Sequence, residues 1–374
     1  MQTNFLDALS GISDVVNAHW PPKMPAPPKP PAWTPGMPSI DIVVPHRDDE
    51  LVSLPAIYDK PLSGGLMMTL TSCERLLAGS RFDYRYYIVS NGNPATGEKV
   101  EAFTRAIDYA KSTGHLGKVL YEDTLVSPPT ARNIGAAAGT GDLIFFFDNH
   151  CLVQEGLFSG AIQTFEATSA DSVHVASQGA GMEGETGYHY TLSLEQNFWG
   201  KMSPFSFGQS PYRIAVGLHG AFAVKRAVWN EVDGYWDGFS GYGGEECYFD
   251  LKLAMLDKTN WMVPRAVHWH NFGNKRGYKR DGSQIVANML ASANIIGGGA
   301  WAEKVANSYY RAGIKQNVKS GYGHEGMSQS KQWYRDVLEA AVSRSEARRL
   351  WLDTRKQRTL DEQLEKFRVD GVPF

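Results

Sequence analysis

The chain has 374 residues, enough for one large core or two ordinary ones. Hydrophobic residues make up 43% and charged residues 21%, a balance that excludes both a disordered chain and one embedded in a bilayer. The formal net charge of −3 argues against a protein that binds nucleic acid over its whole surface, and leaves room for a local basic patch.

Near the N-terminus Phe5, Leu9, Ile12 and Val16 repeat at helical spacing, which predicts a short amphipathic helix. Pro21 to Pro38 is proline-rich and reads as an extended polyproline II spacer, so residues 1–38 form a helix and linker ahead of the main domain. From Ile40 strands alternate with helices. Ile40–Val44 is a buried strand, and Leu66, Leu70, Cys73 and Leu77 mark the inner face of the next helix. Tyr86–Val89, Lys118–Tyr121 and Leu143–Phe147 follow as strands, with helices at Val100–Lys111 and Ala131–Ala138 between them, the order of a parallel doubly wound sheet.

After Cys151 glycines and aromatics break the rhythm, as expected for loops and a small antiparallel section. Helical periodicity returns beyond about residue 300. Trp333, Val337 and Ala341 share a face, and Thr359 with Glu362 forms a capping box ahead of Leu360, Leu364 and Phe367. The expected organisation is a domain over 39–299, split at 150/151, and a helical extension over 300–374 without chemistry of its own. Cys73, Cys151 and Cys247 lie far apart with no CxxC pair, which argues against a cysteine-based zinc or disulfide framework and for a reducing compartment. Neither a secretion leader nor an apolar run of about 18 residues is visible, so no membrane partner is expected and a cytoplasmic setting, bacterial or virus-infected, is the reading.

The chemistry gathers where apolar strands end. Leu143 to His150 reads LIFFFDNH, and side chains beyond the carboxyl end of such a strand emerge where ligands bind in an open α/β sheet. Asp148 and His150, two apart on an extended segment, would face the same side, and this oxygen and imidazole mixture suits a divalent cation such as Mn²⁺. The plainer alternative is a turn in which His150 bonds a backbone carbonyl.

Ala131-Arg132-Asn133-Ile134-Gly135, a Gly-rich turn, an apolar strand and Asp148-Asn149-His150 together resemble the core of GT-A glycosyltransferases of the large family-2 type. The Asp-x-His form, running into Cys151, is similar to that of the polypeptide N-acetylgalactosaminyltransferases. The resemblance implies a Rossmann-like fold for nucleotide-diphospho-sugars, a mixed sheet flanked by helices. It also implies Mn²⁺ or Mg²⁺ held by Asp148, His150 and His270, the last in a His-Asn-Phe segment, with His268 a weaker candidate. Donor contacts would come from Pro45, His46 and Arg47 after the first strand, and from Asn91, Arg132, Asn133, Asp148, Asn149 and Gly244. Asn91 stands where many relatives carry an acid that contacts the base. Gly241-Tyr242-Gly243-Gly244-Glu245-Glu246 is similar to the acceptor-side Gly-Gly-Glu-acid motif, whose glycines would let backbone approach a sugar. By that likeness Glu246 is the catalytic base of an inverting enzyme and Glu245 contacts a sugar, with Glu245 or Asp250 next in line as base. The two likenesses diverge, since the N-acetylgalactosaminyltransferases retain configuration.

The expected activity is therefore sugar transfer from a nucleotide-diphosphate sugar, a UDP-sugar, to an acceptor hydroxyl on a protein or glycan. A hydroxymethylated base in viral DNA competes as acceptor, because the loop GNKRGYKRDG, Gly273 to Gly282, is basic and flexible. A non-catalytic sugar-binding or structural module derived from the same fold is the rival of another class.

Overall fold

The computed structural model describes residues 37–47, 65–80, 82–92, 98–179, 186–193, 199–206, 210–270, 282–315 and 330–372. The predicted N-terminal helix, the proline-rich spacer before residue 37 and the basic residues Lys275, Arg276, Lys279 and Arg280 lie outside them.

The chain builds an 11-stranded mixed sheet in the order β3-β2-β1-β4-β10-β6-β11-β5, with β7 on β6, β8 on β7 and β9 on β11. The strands are β1 (Ile40–His46), β2 (Tyr84–Asn91), β3 (Leu116–Glu122), β4 (Leu143–Phe147), β5 (Cys151–Val153), β6 (Ser172–Gly179), β7 (Thr186–Ser193), β8 (Trp199–Ser206), β9 (Tyr212–Ile214), β10 (Ala221–Lys225) and β11 (Asn260–His270). Helices α1 (Gly65–Leu77), α2 (Glu98–Ser112), α3 (Pro128–Ala138) and α4 (Leu157–Ala167) belong to the first half. They are followed by α5 (Arg226–Glu231), α6 (Glu245–Met255), α7 (Gly282–Gly297), α8 (Gly299–Lys315), α9 (Lys331–Asp353) and α10 (Leu360–Val369).

The doubly wound expectation holds for the four parallel strands β3, β2, β1 and β4. Beyond them β10 enters antiparallel between β4 and β6 and makes the sheet mixed, as the resemblance implied. In β4 successive side chains point to opposite faces. Phe145 and Phe147 join α1, α2 and α4 in one apolar cluster, while Ile144 and Phe146 join the other, which includes residues of α6 to α10.

The C-terminal helices share that second core. Trp333, Val337 and Ala341 face it from α9, and Leu360, Leu364 and Phe367 face it from α10. Thr359 and Glu362 form the predicted capping box in both directions, which satisfies two backbone donors of the first turn. Among the described residues no helix is long and apolar enough to cross a membrane.

Arg226, at the start of α5, ties the first half together. Its guanidinium donates to the carbonyls of Gly141 and Ala136 at 2.6 and 2.8 Å and pairs with Asp41 of β1. Asp41 is buried, and burial raises its pKa even though Gly141 N–H and Arg226 stabilise the carboxylate.

Candidate functional site

Asp148, Asn149 and His150 form a turn directly after β4 rather than an extended segment. Backbone bonds to its neighbours hold that turn. Asp148 N–H donates to the Gly220 carbonyl at 2.9 Å, and Cys151 N–H to the Thr69 hydroxyl of α1 at 3.0 Å, which in turn donates to the Cys151 carbonyl at 2.9 Å. Pairing of β11 with β5 sets His270 opposite Cys151 and so delivers its imidazole to the turn from 120 residues downstream of His150.

Three ligand atoms converge there. His270 Nε2 lies 3.1 Å from Asp148 Oδ2, His150 Nε2 lies 3.2 Å from His270 Nε2, and His150 Nε2 is 4.0 Å from Asp148 Oδ2. A metal with bonds of about 2.0–2.1 Å sets neighbouring ligand atoms about 3.0 Å apart in an octahedron and about 3.4 Å in a tetrahedron. Two of the three separations match such edges, and the carboxylate plus two imidazoles is a donor set suited to Mn²⁺ or Zn²⁺, so the residues fit a divalent ion. Asp148 keeps 29% of its side chain exposed while the two histidines are nearly covered, so the group opens on the carboxylate side.

A second layer fixes these ligands. Asn149 is buried and spans two rings, its amide nitrogen 2.9 Å from His46 Nδ1 and its carbonyl oxygen 2.8 Å from His150 Nδ1. An amide oxygen only accepts, so His150 carries its proton on Nδ1 and offers a lone pair at Nε2. His46 stacks on Phe103 with centroids 4.9 Å apart, which holds the far end of this chain. Arg132 of α3 is also buried and donates to Asp148 Oδ1 at 2.9 Å and to the His219 carbonyl at 2.9 Å. Burial alone would raise the pKa of Asp148, but the bond from His270 and the charge of Arg132 hold it well below the usual carboxylate range.

The Gly-Gly-Glu-Glu segment sits beside this group, joined to it through His219. Glu246 Oε1 accepts from the His219 N–H at 3.2 Å. Burial, then the neighbouring charge of Glu245, pushes the Glu246 carboxyl up to about 8, and burial also raises Glu245. Glu245 Oε2 is buried with no hydrogen-bond partner among the described residues. Gly244 has φ +86° as the cap residue of α6, and a Cβ there would meet the Asn288 backbone of α7 at 3.1 Å. The close approach that excludes a side chain at Gly244 is therefore to a helix of the same chain, where the motif had suggested a sugar.

Other predicted donor contacts have partners inside the protein. Asn91 pairs both ways with the backbone of Val126, at 2.8 Å each, and so pins the segment after β3. Asn133 bonds the backbone of Tyr235 and the carboxylate of Asp237. Pro45 and Arg47 are half-buried at and just after the end of β1. His268 lies one strand repeat from His270, fully buried and pushed down to about 3 by burial, and is not one of the three converging groups. Asp250 points into the core, where its carboxylate accepts from Gly217 N–H at 2.7 Å, so it cannot reach an acceptor.

Sequence reasoning missed Thr69 and His219. A Thr inside an apolar helix and a His within Gly217 to Gly220 carry no spacing signal, because their partners are 82 and 87 residues away.

Parallel strands ending in a carboxylate and two imidazoles, with a mixed extension on the far side, define a protein of the GT-A class of nucleotide-sugar transferase folds. A solved structure described as GalNAc-T7 with UDP, GalNAc and Mn²⁺ shares this fold, with a TM-score of 0.57 and 17% identity over 83% of this chain and 58% of that one. Residues 68–232 match the family described as Glycosyl transferase family 2. Polypeptide N-acetylgalactosaminyltransferase 11 of Xenopus tropicalis is 23% identical over 198 residues, 48% of this chain and 31% of that protein. Polypeptide N-acetylgalactosaminyltransferase 12 of Mus musculus is 23% identical over 197 residues, 48% of this chain and 32% of its own length. The chain thus spans about a third of the length of these two relatives.

Proposed function

We propose that this protein is a metal-dependent glycosyltransferase that moves a sugar from a nucleotide-diphosphate sugar, a UDP-sugar, to an acceptor hydroxyl with inversion of configuration. The observation that carries the reading is the convergence of Asp148, His150 and His270 just beyond the carboxyl end of β4. A divalent ion bound there, Mn²⁺ or Mg²⁺, supplies Lewis-acid neutralisation of the departing diphosphate.

The chain's own residues do the rest. Arg132 keeps Asp148 ionised, and Asn149 with His46 holds His150 in the tautomer that presents Nε2. Glu246 accepts the proton of the acceptor hydroxyl, and a pKa near 8 places it close to the operating range of a general base. The N–H of His219 orients that carboxylate towards the same loop whose carbonyl is bound by Arg132, so base and ligand share one support.

The fold likeness to GalNAc-T7, described with UDP and Mn²⁺, supports the donor class. A protein, a glycan and a hydroxymethylated DNA base are the acceptor classes to compare. The test measures nucleotide release from a panel of nucleotide sugars with and without Mn²⁺. Wild type should turn over a UDP-sugar only with the ion, and Asp148→Ala should abolish turnover while circular dichroism stays unchanged. Full activity in chelator overturns the proposal. Absence of turnover with every donor would favour the non-catalytic reading, for which one relative, inactive polypeptide N-acetylgalactosaminyltransferase-like protein 5 of Macaca fascicularis, 23% identical over 241 residues and covered over 53% of its length, gives a precedent.

A further inference from the structure

Beneath the loop that carries His219 lies a second group of histidines and a carboxylate. His174 stands on β6, His219 on the loop before β10 and Asp250 on α6, and all three are buried to within 1%. His219 Nε2 is 3.2 Å from Asp250 Oδ2, His174 Nε2 is 3.4 Å from Asp250 Oδ1, and all three ligand atoms lie within 4.8 Å of one another.

Hydrogen bonds around the group fix how its neighbours are oriented. Asn260 donates through its amide nitrogen to the carbonyls of Ala215 and Asp250, so its oxygen accepts from the Ser172 hydroxyl at 2.7 Å. That uses the only proton of Ser172, which then turns a lone pair towards His174 Nε2 at 3.2 Å. His174 Nδ1 faces the Leu218 carbonyl at 3.4 Å. Tyr235 Oη lies 2.6 Å from His219 Nδ1. Three ligand atoms thus converge in a dry core, where a cation among them would offset the buried carboxylate charge.

The geometry distinguishes the cation. An aligned, charge-assisted N–H···O bond spans about 2.7–2.9 Å, whereas ligand atoms around a four-coordinate metal lie about 3.3–3.4 Å apart. The separations here, 3.2 and 3.4 Å, lie nearer the second kind, and neither His219 Nε2 nor Asp250 Oδ1 has an aligned hydrogen-bond partner among the described residues. Each imidazole also has its other nitrogen against an oxygen, as metal-bound histidines do.

We infer that His174, His219 and Asp250 form a closed binding site for a divalent first-row cation of the four-coordinate kind that suits Zn²⁺, with Ser172 Oγ 3.2 Å from His174 Nε2. The inference is independent of the sugar-transfer reading. An ion at this place in the fold would brace the neighbouring site, because Asp250 also binds Gly217 N–H, and the Gly217 to Gly220 loop presents its backbone to Arg132, Asp148 and Glu246.

The test removes the first group of ligands with the double variant Asp148→Ala/His270→Ala, dialyses the full-length protein against a weak chelator and counts metal by mass spectrometry. One zinc per chain should remain, and replacement by Co²⁺ should give the strong visible absorption of four-coordinate cobalt. His174→Gln and Asp250→Asn should each lose the ion. If they do not fold, the cobalt spectrum and stoichiometry of the double variant, or of chelator-treated wild type, decide alone. A folded protein that takes up no ion at this site after zinc is added, a weak six-coordinate cobalt spectrum, or retention of the ion by both substitutions overturns the inference in favour of a proton shared among the three side chains.

Discussion

Replacing Glu246 by Gln keeps the size of the side chain and removes its capacity to take a proton. With its pKa near 8, about a tenth of the wild-type carboxyl is ionised at pH 7 and most of it at pH 9. If Glu246 is the base, kcat should rise about tenfold per pH unit up to its pKa and then level, and the Gln variant should fall by about 10²–10⁴-fold and lose this slope. The same substitution has a stability signature. A carboxyl whose folded pKa is raised from 4.5 to about 8 is favoured as the neutral acid in the folded state. Its contribution is fully present below the unfolded value and lost as pH climbs through the folded one.

Gln makes no such change, so the stability of the variant relative to wild type should grow with pH between about 4.5 and 8, at no more than about 1.4 kcal/mol per unit. The ceiling over that window is about 5 kcal/mol, and because Glu246 is half-buried solvent screening brings the expectation to about 2–3 kcal/mol. Urea titrations at four pH values read the difference directly, and Asp148 and Asp250, whose depressed pKa values act only below about pH 4, do not contribute to it in this window. Retention of more than about a tenth of kcat, together with a stability difference that does not change with pH, refutes both the assigned role and the electrostatic account of the site.

Asn149→Ala should weaken Mn²⁺ binding by about 10–100-fold, because His150 loses the partner that fixes its tautomer, yet leave kcat near wild type once Mn²⁺ is saturating. Metal titrations with and without donor separate these effects, and unchanged affinity would show that Asn149 does not orient His150. Arg226→Met breaks the buried pair with Asp41 and should cost about 3–5 kcal/mol in chemical denaturation without altering kcat per folded molecule. A loss under about 1 kcal/mol would mean that Asp41 is held neutral by its surroundings. For stereochemistry, proton NMR couplings of the product should report a β-linkage from an α-linked donor, and an α-linkage would remove Glu246 from the role of base.

How much of this was legible in the chain follows from where each signal resides. The strand LIFFF, wholly apolar and stopped by Asp148, was readable because a strand buried on both faces must be apolar throughout and its end must meet solvent or ligand. The parallel half, the helix faces and the Thr359 capping box were readable for the same reason, since each is a periodicity or a spacing of a few residues. Arg132, Asp148, His150, Glu246 and His270 were all singled out as residues, but not as a geometry.

Only the tertiary structure made Asp148-Asn149-His150 a turn, delivered His270 to it by pairing β11 with β5, and set β10 antiparallel in the middle of the sheet. It also turned Asn91, Asn133 and Asn149 inward. A side-chain amide presents the same donors and acceptors to a nucleotide as to a backbone, and residue type cannot choose between them. His174, His219 and Asp250 were likewise unreadable as a group, because they come from a strand, a loop and a helix spread over 77 residues. Local spacing records only what neighbouring residues do together, whereas a site of this kind is assembled by the long-range pairings that place the ends of separate strands side by side.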